Sequence, residues 1–266
     1  MDLTEVTQNE NRHPWELSRA RCIMDIVKRY KLDSAADIGA GDMFFTSKLQ
    51  PFVSGETYAV DSGYGEKPEP ASGIRRLNDI SALPEFTGKC GLILMDVLEH
   101  IENDSAFLKE TLDKIPADGL VFITVPAFQF LFSDHDAFLR HHRRYNQKQL
   151  LSLTSALNLR VEECRYFYAS LFFARFAGLL LGKIRRGKKK QAGVGSWRFG
   201  EKHPVTRVIY AVLNADFYIC GLLAKLRVTL PGLSLLAICR KQKSNNNNKN
   251  IMEGTPPLRG QPYPTF

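Results

Sequence analysis

Asp37-Ile38-Gly39-Ala40-Gly41-Asp42 joins a short apolar run, Ala35-Ala36-Asp37-Ile38, to a helical stretch over 43–52. A strand that turns through two glycines into a helix leaves backbone N–H groups open to a ligand, because glycine takes positive φ and lets a bound group approach the main chain. Twenty residues beyond Gly41, Asp61 ends the next apolar run, Thr57-Tyr58-Ala59-Val60. A carboxylate there accepts both hydroxyls of a ribose, each charge-assisted bond contributing about 1.5–3 kcal/mol. The pair points to an adenosine-containing cofactor. A dinucleotide turn of the G-x-G-x-x-G kind needs a small residue at 44, where Phe44 stands, so a nicotinamide cofactor is disfavoured.

Outward from this turn, the periodicity predicts helices over 15–30, 101–115 and 147–157, and strands over 74–77, 91–95, 119–125, 159–166 and 233–239. Strands alternating with helices predict a parallel α/β sheet with right-handed crossovers. The 266 residues suffice for one well-buried domain with an insertion. The expected division is a flexible tail over 1–12, a core over 13–166, an apolar and basic helical insertion over 167–230, the core's last strand over 231–241, and a disordered tail over 242–266. That last stretch holds Asn245 to Asn248 and several prolines, a composition that buries no core.

Charge is unevenly spread. Residues 1–139 hold 13 Lys/Arg against 23 Asp/Glu, whereas residues 140–266 hold 23 against 5. A basic half suits nucleic acid, an anionic membrane face or an acidic substrate, and composition does not choose among them. Five cysteines without a C-x-x-C pair suit a reducing compartment and give no structural zinc spacing. The polar first twelve residues lack the apolar core of a secretory signal, so the expected location is the cytoplasm.

With the glycine turn and Asp61 in place, the chain resembles the class I S-adenosylmethionine-dependent methyltransferases. Their first motif, D/E-x-G-x-G-x-G, is matched by Asp37, Gly39 and Gly41, with Met43 where the last glycine would fall. More specific is Asp96-Val97-Leu98-Glu99-His100-Ile101, which is similar to the D-V-L-E-H-I run that follows the fourth strand in one large subgroup. The resemblance implies a Rossmann-like seven-stranded sheet, mostly parallel with the last strand antiparallel, and S-adenosylmethionine as cofactor. It further implies that Asp37, Gly39, Ala40 and Gly41 lie near the methionine moiety, Asp61 and Ser62 at the ribose, Asp79 and Ile80 at the adenine, and Asp96 and Val97 beside the methyl-transfer site. The subgroup's W-x-x-x-R pattern is similar to Trp15 and Arg19, which with His13 would close over the cofactor. For Glu99 and His100 the favoured reading is a helix start with no catalytic role.

After the fifth strand, Ser133-Asp134-His135-Asp136 and Arg140-His141-His142-Arg143-Arg144-Tyr145 form a loop expected over the cofactor's methyl group, since ligands gather at the carboxyl ends of parallel strands. His135 and His141 are the candidate bases. The competing account has Arg143 and Arg144 pairing with Asp134 or Asp136 to brace the loop, and no metal site is expected. The insertion opens with an apolar stretch, 167–182, too short to span a bilayer and carrying Arg175, and the cations Lys183, Arg185, Arg186, Lys188, Lys189 and Lys190 follow at once. Apolar helix beside polybasic run suits a helix lying in an anionic membrane surface; a pocket lid or a dimer face is the alternative. The expected function is methyl transfer to an apolar small-molecule or lipid-like acceptor. The rivals are an RNA methyltransferase, disfavoured because its cations adjoin apolar helices, and a membrane-surface adaptor with a degenerate cofactor fold.

Overall fold

The computed structural model describes residues 11–65, 73–184 and 197–243. Its seven strands are β1 (Ser34–Ile38), β2 (Thr57–Val60), β3 (Ile74–Leu77), β4 (Cys90–Met95), β5 (Leu120–Pro126), β6 (Leu159–Phe167) and β7 (Ser234–Lys241). They form one sheet in the order β3-β2-β1-β4-β5-β7-β6. The first five are parallel, and β7 runs antiparallel between β5 and β6. This is the sheet expected from the sequence.

Among the described residues seven α-helices flank it: α1 (Pro14–Val27), α2 (Phe44–Leu49), α3 (Asp104–Asp113), α4 (Asp134–Phe138), α5 (Gln147–Ala156), α6 (Ala169–Ile184) and α7 (Pro204–Lys225). The apolar side chains of β1, β4, β5 and β7 alternate between two cores. On one face Leu94, Val121 and Leu235 pack with Leu108 and Leu112 of α3 and Leu150 of α5. On the other Ile93, Phe122 and Leu236 pack with Ile23 and Val27 of α1, Leu49 of α2, and Leu213 and Phe217 of α7. Burial on both faces is what near-continuous apolar strands such as β4 and β5 require.

Register sets the functional edge. Ile38 pairs with Val60 and with Leu94, and Val60 pairs with Leu77. The residues that follow these strand ends therefore line up along one carboxyl edge, and β1 and β4 flank the point where strand order reverses. Ligands of open α/β sheets bind there.

Some expected boundaries move. The helix expected over 101–115 begins only at Asp104, where the Asn103 side chain accepts from Ala106 N–H; Leu98–His100 instead form a separate 3-10 turn. The N-terminal tail is ordered at its end, since Arg12 pairs with Asp42 and its guanidinium lies 3.8 Å over the Phe44 ring. Gln242 N–H donates to Asn158 O. Residues 1–10, 185–196 and 244–266, and with them Arg185, Arg186, Lys188, Lys189, Lys190 and most of both expected tails, lie outside the described residues.

The described residues of the insertion contribute two helices, α6 and α7. α6 carries Phe172 against Phe128, while Arg175 donates to Leu131 O at 3.0 Å and to Ser133 Oγ at 2.7 Å, fastening the helix to the loop that follows β5. α7 buries Thr206, Leu213, Phe217 and Cys220 and exposes Val205, Val208, Val212, Ile219 and Leu222, with Val208 63% and Leu222 59% accessible. Both stripes repeat at helical spacing, so the helix has two apolar faces and only one is covered. Among the described helices α7 is the one long and apolar enough to cross a membrane by length and composition.

Candidate functional site

The turn after β1 is built by backbone conformation. Gly39 and Gly41 take φ of 70° and 52°, and a Cβ at Gly39 would stand 2.7 Å from Val97 Cγ2. That close approach fixes the turn against the end of β4. Met43, standing where the resembled motif has glycine, also takes the left-handed conformation, with φ 62°. The side chain is accommodated against the small buried cluster of Ala40, Ala59, Tyr64 and Ile74. The departure in sequence leaves the backbone path intact.

Asp61 is buried, and its carboxylate accepts from Gly41 N–H and from Gly63 N–H, both at 2.8 Å. It thus ties the ends of β1 and β2 together, and Ser62 opens the 3-10 turn beside it. Asp37 is also buried; Thr46 Oγ1 donates to it at 2.6 Å, and desolvation pushes its pKa up to about 6. Asp79 accepts from Ser81 N–H at 2.7 Å and begins the turn holding buried Ile80. Asp96, at φ 56°, accepts from Thr124 Oγ1 at 3.0 Å and pairs with Arg19 of α1. Asp37, Asp61, Asp79 and Asp96 with their neighbours Gly39, Ala40, Gly41, Ser62, Ile80 and Val97 therefore all fall on the carboxyl edge of four adjacent strands.

Beside this edge lies a cavity of about 300 Å³, lined among others by His13, Trp15, Glu99, His100, His135, His141, Arg144 and Leu171. A smaller hollow of about 30 Å³ sits over Asp37, Gly39 and Ala40. The two share Glu16, Arg19 and Met95 in their walls. Of nine buried polar side-chain atoms without a hydrogen-bond partner among the described residues, five belong to residues lining the large cavity: Trp15 Nε1, Glu16 Oε2, both oxygens of Glu99, and His135 Nδ1. Buried polar atoms are normally paired, so this concentration marks a place that receives a polar ligand.

His135 stands on α4, and burial lowers its pKa, leaving a neutral imidazole at pH 7. His141 Nδ1 is 3.1 Å from Asp136 Oδ1. Asp136, fully buried, also accepts from Ser133 N–H and Oγ and from Arg144 Nε at 2.7 Å. Its pKa is lowered: hydrogen bonds from His141, Arg144 and Ser133 and the Arg144 charge outweigh a large opposing desolvation. Arg144 thus braces the loop through Asp136, whereas Arg143 pairs with Asp104 at 3.0 Å rather than with either loop aspartate, because its side chain reaches across to the start of α3. Bracing and cavity lining coexist: Asp136 anchors the loop and His135 and His141 face the hollow. Glu99 lies in the first turn of the 3-10 helix Leu98–His100, a helix start as its sequence suggests; it is also wholly buried in the wall of the cavity, where desolvation pushes its pKa up to about 8.

No protein-family model and no curated protein matches the chain. Solved structures do. A SAM dependent methyltransferase from Archaeoglobus fulgidus is 17% identical, with 85% of this chain and 94% of that chain covered and a TM-score of 0.51. The 4+2 cyclase SpnF is 15% identical, with 89% and 86% covered and a TM-score of 0.52. The fold is therefore that of the class I S-adenosylmethionine-dependent methyltransferases, as the motifs at Asp37 and Asp96 led us to expect. One neighbour is a methyltransferase and the other a cyclase, so the fold alone does not fix the reaction.

Proposed function

We propose that the protein is an S-adenosylmethionine-dependent methyltransferase acting on an apolar, lipid-like acceptor met at the inner face of a membrane. The observation that carries this reading is the shared wall of the two hollows: Glu16, Arg19 and Met95 border both the glycine turn and the large cavity, so a donor held at the turn faces an acceptor in the cavity.

The residues present fit the cofactor. Gly39 and Gly41 put no side chain over the turn, although the N–H groups of Gly39, Ala40 and Gly41 are taken up by Val60 O and Asp61 rather than left open; Asp61 supplies a ribose acceptor, and Arg12 and Arg19 in the wall of the same hollow can meet the cofactor's own carboxylate. When bound, S-adenosylmethionine supplies an activated methyl group on a sulfonium, so the chain's main task is in-line positioning. Its residues exclude water with Trp15, Leu171 and Leu233, and orient the acceptor. Neutral His135 accepts a proton from a hydroxyl, phenol or acidic carbon.

The acceptor class rests on the insertion. Phe128 and Phe172 pack together, with Phe130 and Phe176 exposed beside them, and Leu171 next in the chain lines the cavity. The uncovered stripe of α7 is flanked by exposed Arg207, Lys225 and Arg227, a pattern suited to a helix lying in an anionic surface. The test is incubation with methyl-labelled S-adenosylmethionine and either total lipid or total RNA. Label in the lipid fraction supports the reading; label in RNA, or none in either, overturns it.

A further inference from the structure

We propose that Glu99, His100 and His141 form a binding site for a divalent transition-metal cation inside the large cavity. One ligand atom from each of the three lies within 4.8 Å of those from the other two. Glu99 and His100 come from the 3-10 turn after β4 and His141 from the segment after α4, so the cluster joins the two sides of the cavity. His100 and His141 meet edge to face with ring centroids 4.6 Å apart.

The independent sign of a ligand is Glu99. Its side chain is completely buried, yet no other residue donates a hydrogen bond to either oxygen. Arg19 and Arg144 act on it only through space, without a hydrogen bond. A buried carboxyl group that no other residue partners is unfavourable, and a cation or donor that meets it removes that cost. His141 is already oriented as a ligand: Asp136 engages Nδ1, which leaves Nε2 to coordinate. A carboxylate holding the far nitrogen of a histidine is the usual support of a metal-bound imidazole, fixing its tautomer and raising its basicity. Asp136 is itself held by Arg144, Ser133 and Arg175, so the support is rigid.

Two imidazoles and one carboxylate suit zinc, cobalt, manganese or iron better than magnesium or calcium, which prefer oxygen donors. Bonds of about 2.1 Å put tetrahedral ligand atoms roughly 3.4 Å apart, so the side chains draw in by up to about 1.4 Å on binding. Three protein ligands leave open positions toward the cavity. An oxygen of the acceptor fills one, and the cation lowers that oxygen's pKa, which extends the substrate class to molecules offering a hydroxyl or carboxylate beside their apolar part. The site lies in the acceptor cavity of the proposed methyltransferase, but its affinity for metal does not depend on methyl transfer.

The experiment titrates the full chain, stripped with chelator and free of cofactor, with cobalt by visible absorption and with zinc by calorimetry. One equivalent is expected to bind, with ligand-field bands of a nitrogen and oxygen site and no thiolate charge transfer. Glu99→Gln, His100→Ala and His141→Ala are each expected to weaken binding tenfold or more, with circular dichroism unchanged. If Glu99→Gln misfolds, the two histidine variants decide the matter. Absence of uptake, uptake unchanged in the histidine variants, or a thiolate spectrum would overturn the site. These readouts are separate from methyl transfer, so either conclusion can fail alone.

Discussion

Arg19 of α1 pairs with Asp96 at the end of β4, and its guanidinium lies 4.2 Å over the Trp15 ring. Both acidic and aromatic partners line the large cavity, so this pair closes the N-terminal helix over the carboxyl edge of the sheet. Asp96 keeps a second partner in Thr124. Removing the buried arginine leaves a mostly buried carboxylate with that hydroxyl alone. Arg19→Ala is expected to lower unfolding free energy by about 2–4 kcal/mol in urea, and adding Asp96→Asn to recover part of it. Equal losses in the single and double variants would mean that Arg19 acts through Trp15 packing alone.

Met43 carries a left-handed backbone that favours glycine. Met43→Gly relieves that conformation and loses packing against Ala40 and Tyr64, so stability should change by no more than about 1 kcal/mol. A β-branched side chain has no such relief, and Met43→Ile should cost clearly more. Thermal unfolding of the two variants side by side tests this, and equal effects would show that the φ angle is irrelevant.

Asp37 gives a pH signature. Its pKa rises from 3.8 to about 6 on folding, chiefly through desolvation. Below pH 4 both states hold the proton; between 4 and 6 the unfolded chain ionises first, so stability falls as pH rises; above 6 both are ionised. Asp37→Asn removes this dependence. The stability of the variant relative to wild type should therefore climb by about 3 kcal/mol between pH 4 and 7, read from urea curves at each pH. A flat difference would show that Asp37 is ionised in the fold throughout.

Much of the site could be read from sequence because its spacing is local. The glycine turn, Asp61 at the next strand end and the run at Asp96 each follow a strand, and the parallel sheet alone brings them to one edge. The metal cluster could not be read this way: His100 and His141 are far apart in the chain, and Leu98-Glu99-His100 reads equally well as the first turn of a helix until the Asn103 cap shows that α3 starts later. Arg12 escaped notice because a polar tail carries no periodicity, and its order comes from the Asp42 and Phe44 contacts. In α7, apolar residues on two faces look like a fully buried helix, and only the fold reveals which stripe the core covers.

That uncovered stripe leads to a membrane test. The protein should sediment with liposomes containing anionic lipid and much less with neutral ones, each cation near the surface contributing about 1 kcal/mol. Salt should release it only partly, since screening leaves the apolar contribution in place. Replacing Val208, Ile219 and Leu222 by glutamate, all three exposed, should abolish sedimentation without unfolding the chain. Neutralising Arg185, Arg186, Lys188, Lys189 and Lys190 should weaken it. Wild-type protein remaining in the supernatant at low salt would return the stripe to a dimer face.

The loop histidines separate acceptor chemistry from cofactor binding. His135→Ala is expected to reduce methyl transfer at least a hundredfold while changing S-adenosylmethionine affinity less than threefold, because His135 faces the large cavity and the glycine turn lies in the smaller hollow. Single-turnover assays beside calorimetry make the comparison. Full turnover in His135→Ala and His141→Ala, and in the double variant, would leave the loop a bracing role only.

The central claim is that the turn at Gly39 and Gly41 and the carboxylate of Asp61 cradle S-adenosylmethionine, and calorimetry on the purified chain tests it most directly. One molar equivalent of S-adenosylmethionine or S-adenosylhomocysteine should bind, and Asp61→Ala should weaken both at least tenfold with the fold retained, as loss of a charge-assisted pair of hydrogen bonds requires. No binding of either compound, affinity unchanged in a folded Asp61→Ala variant, or binding of a nicotinamide dinucleotide in their place would contradict the account.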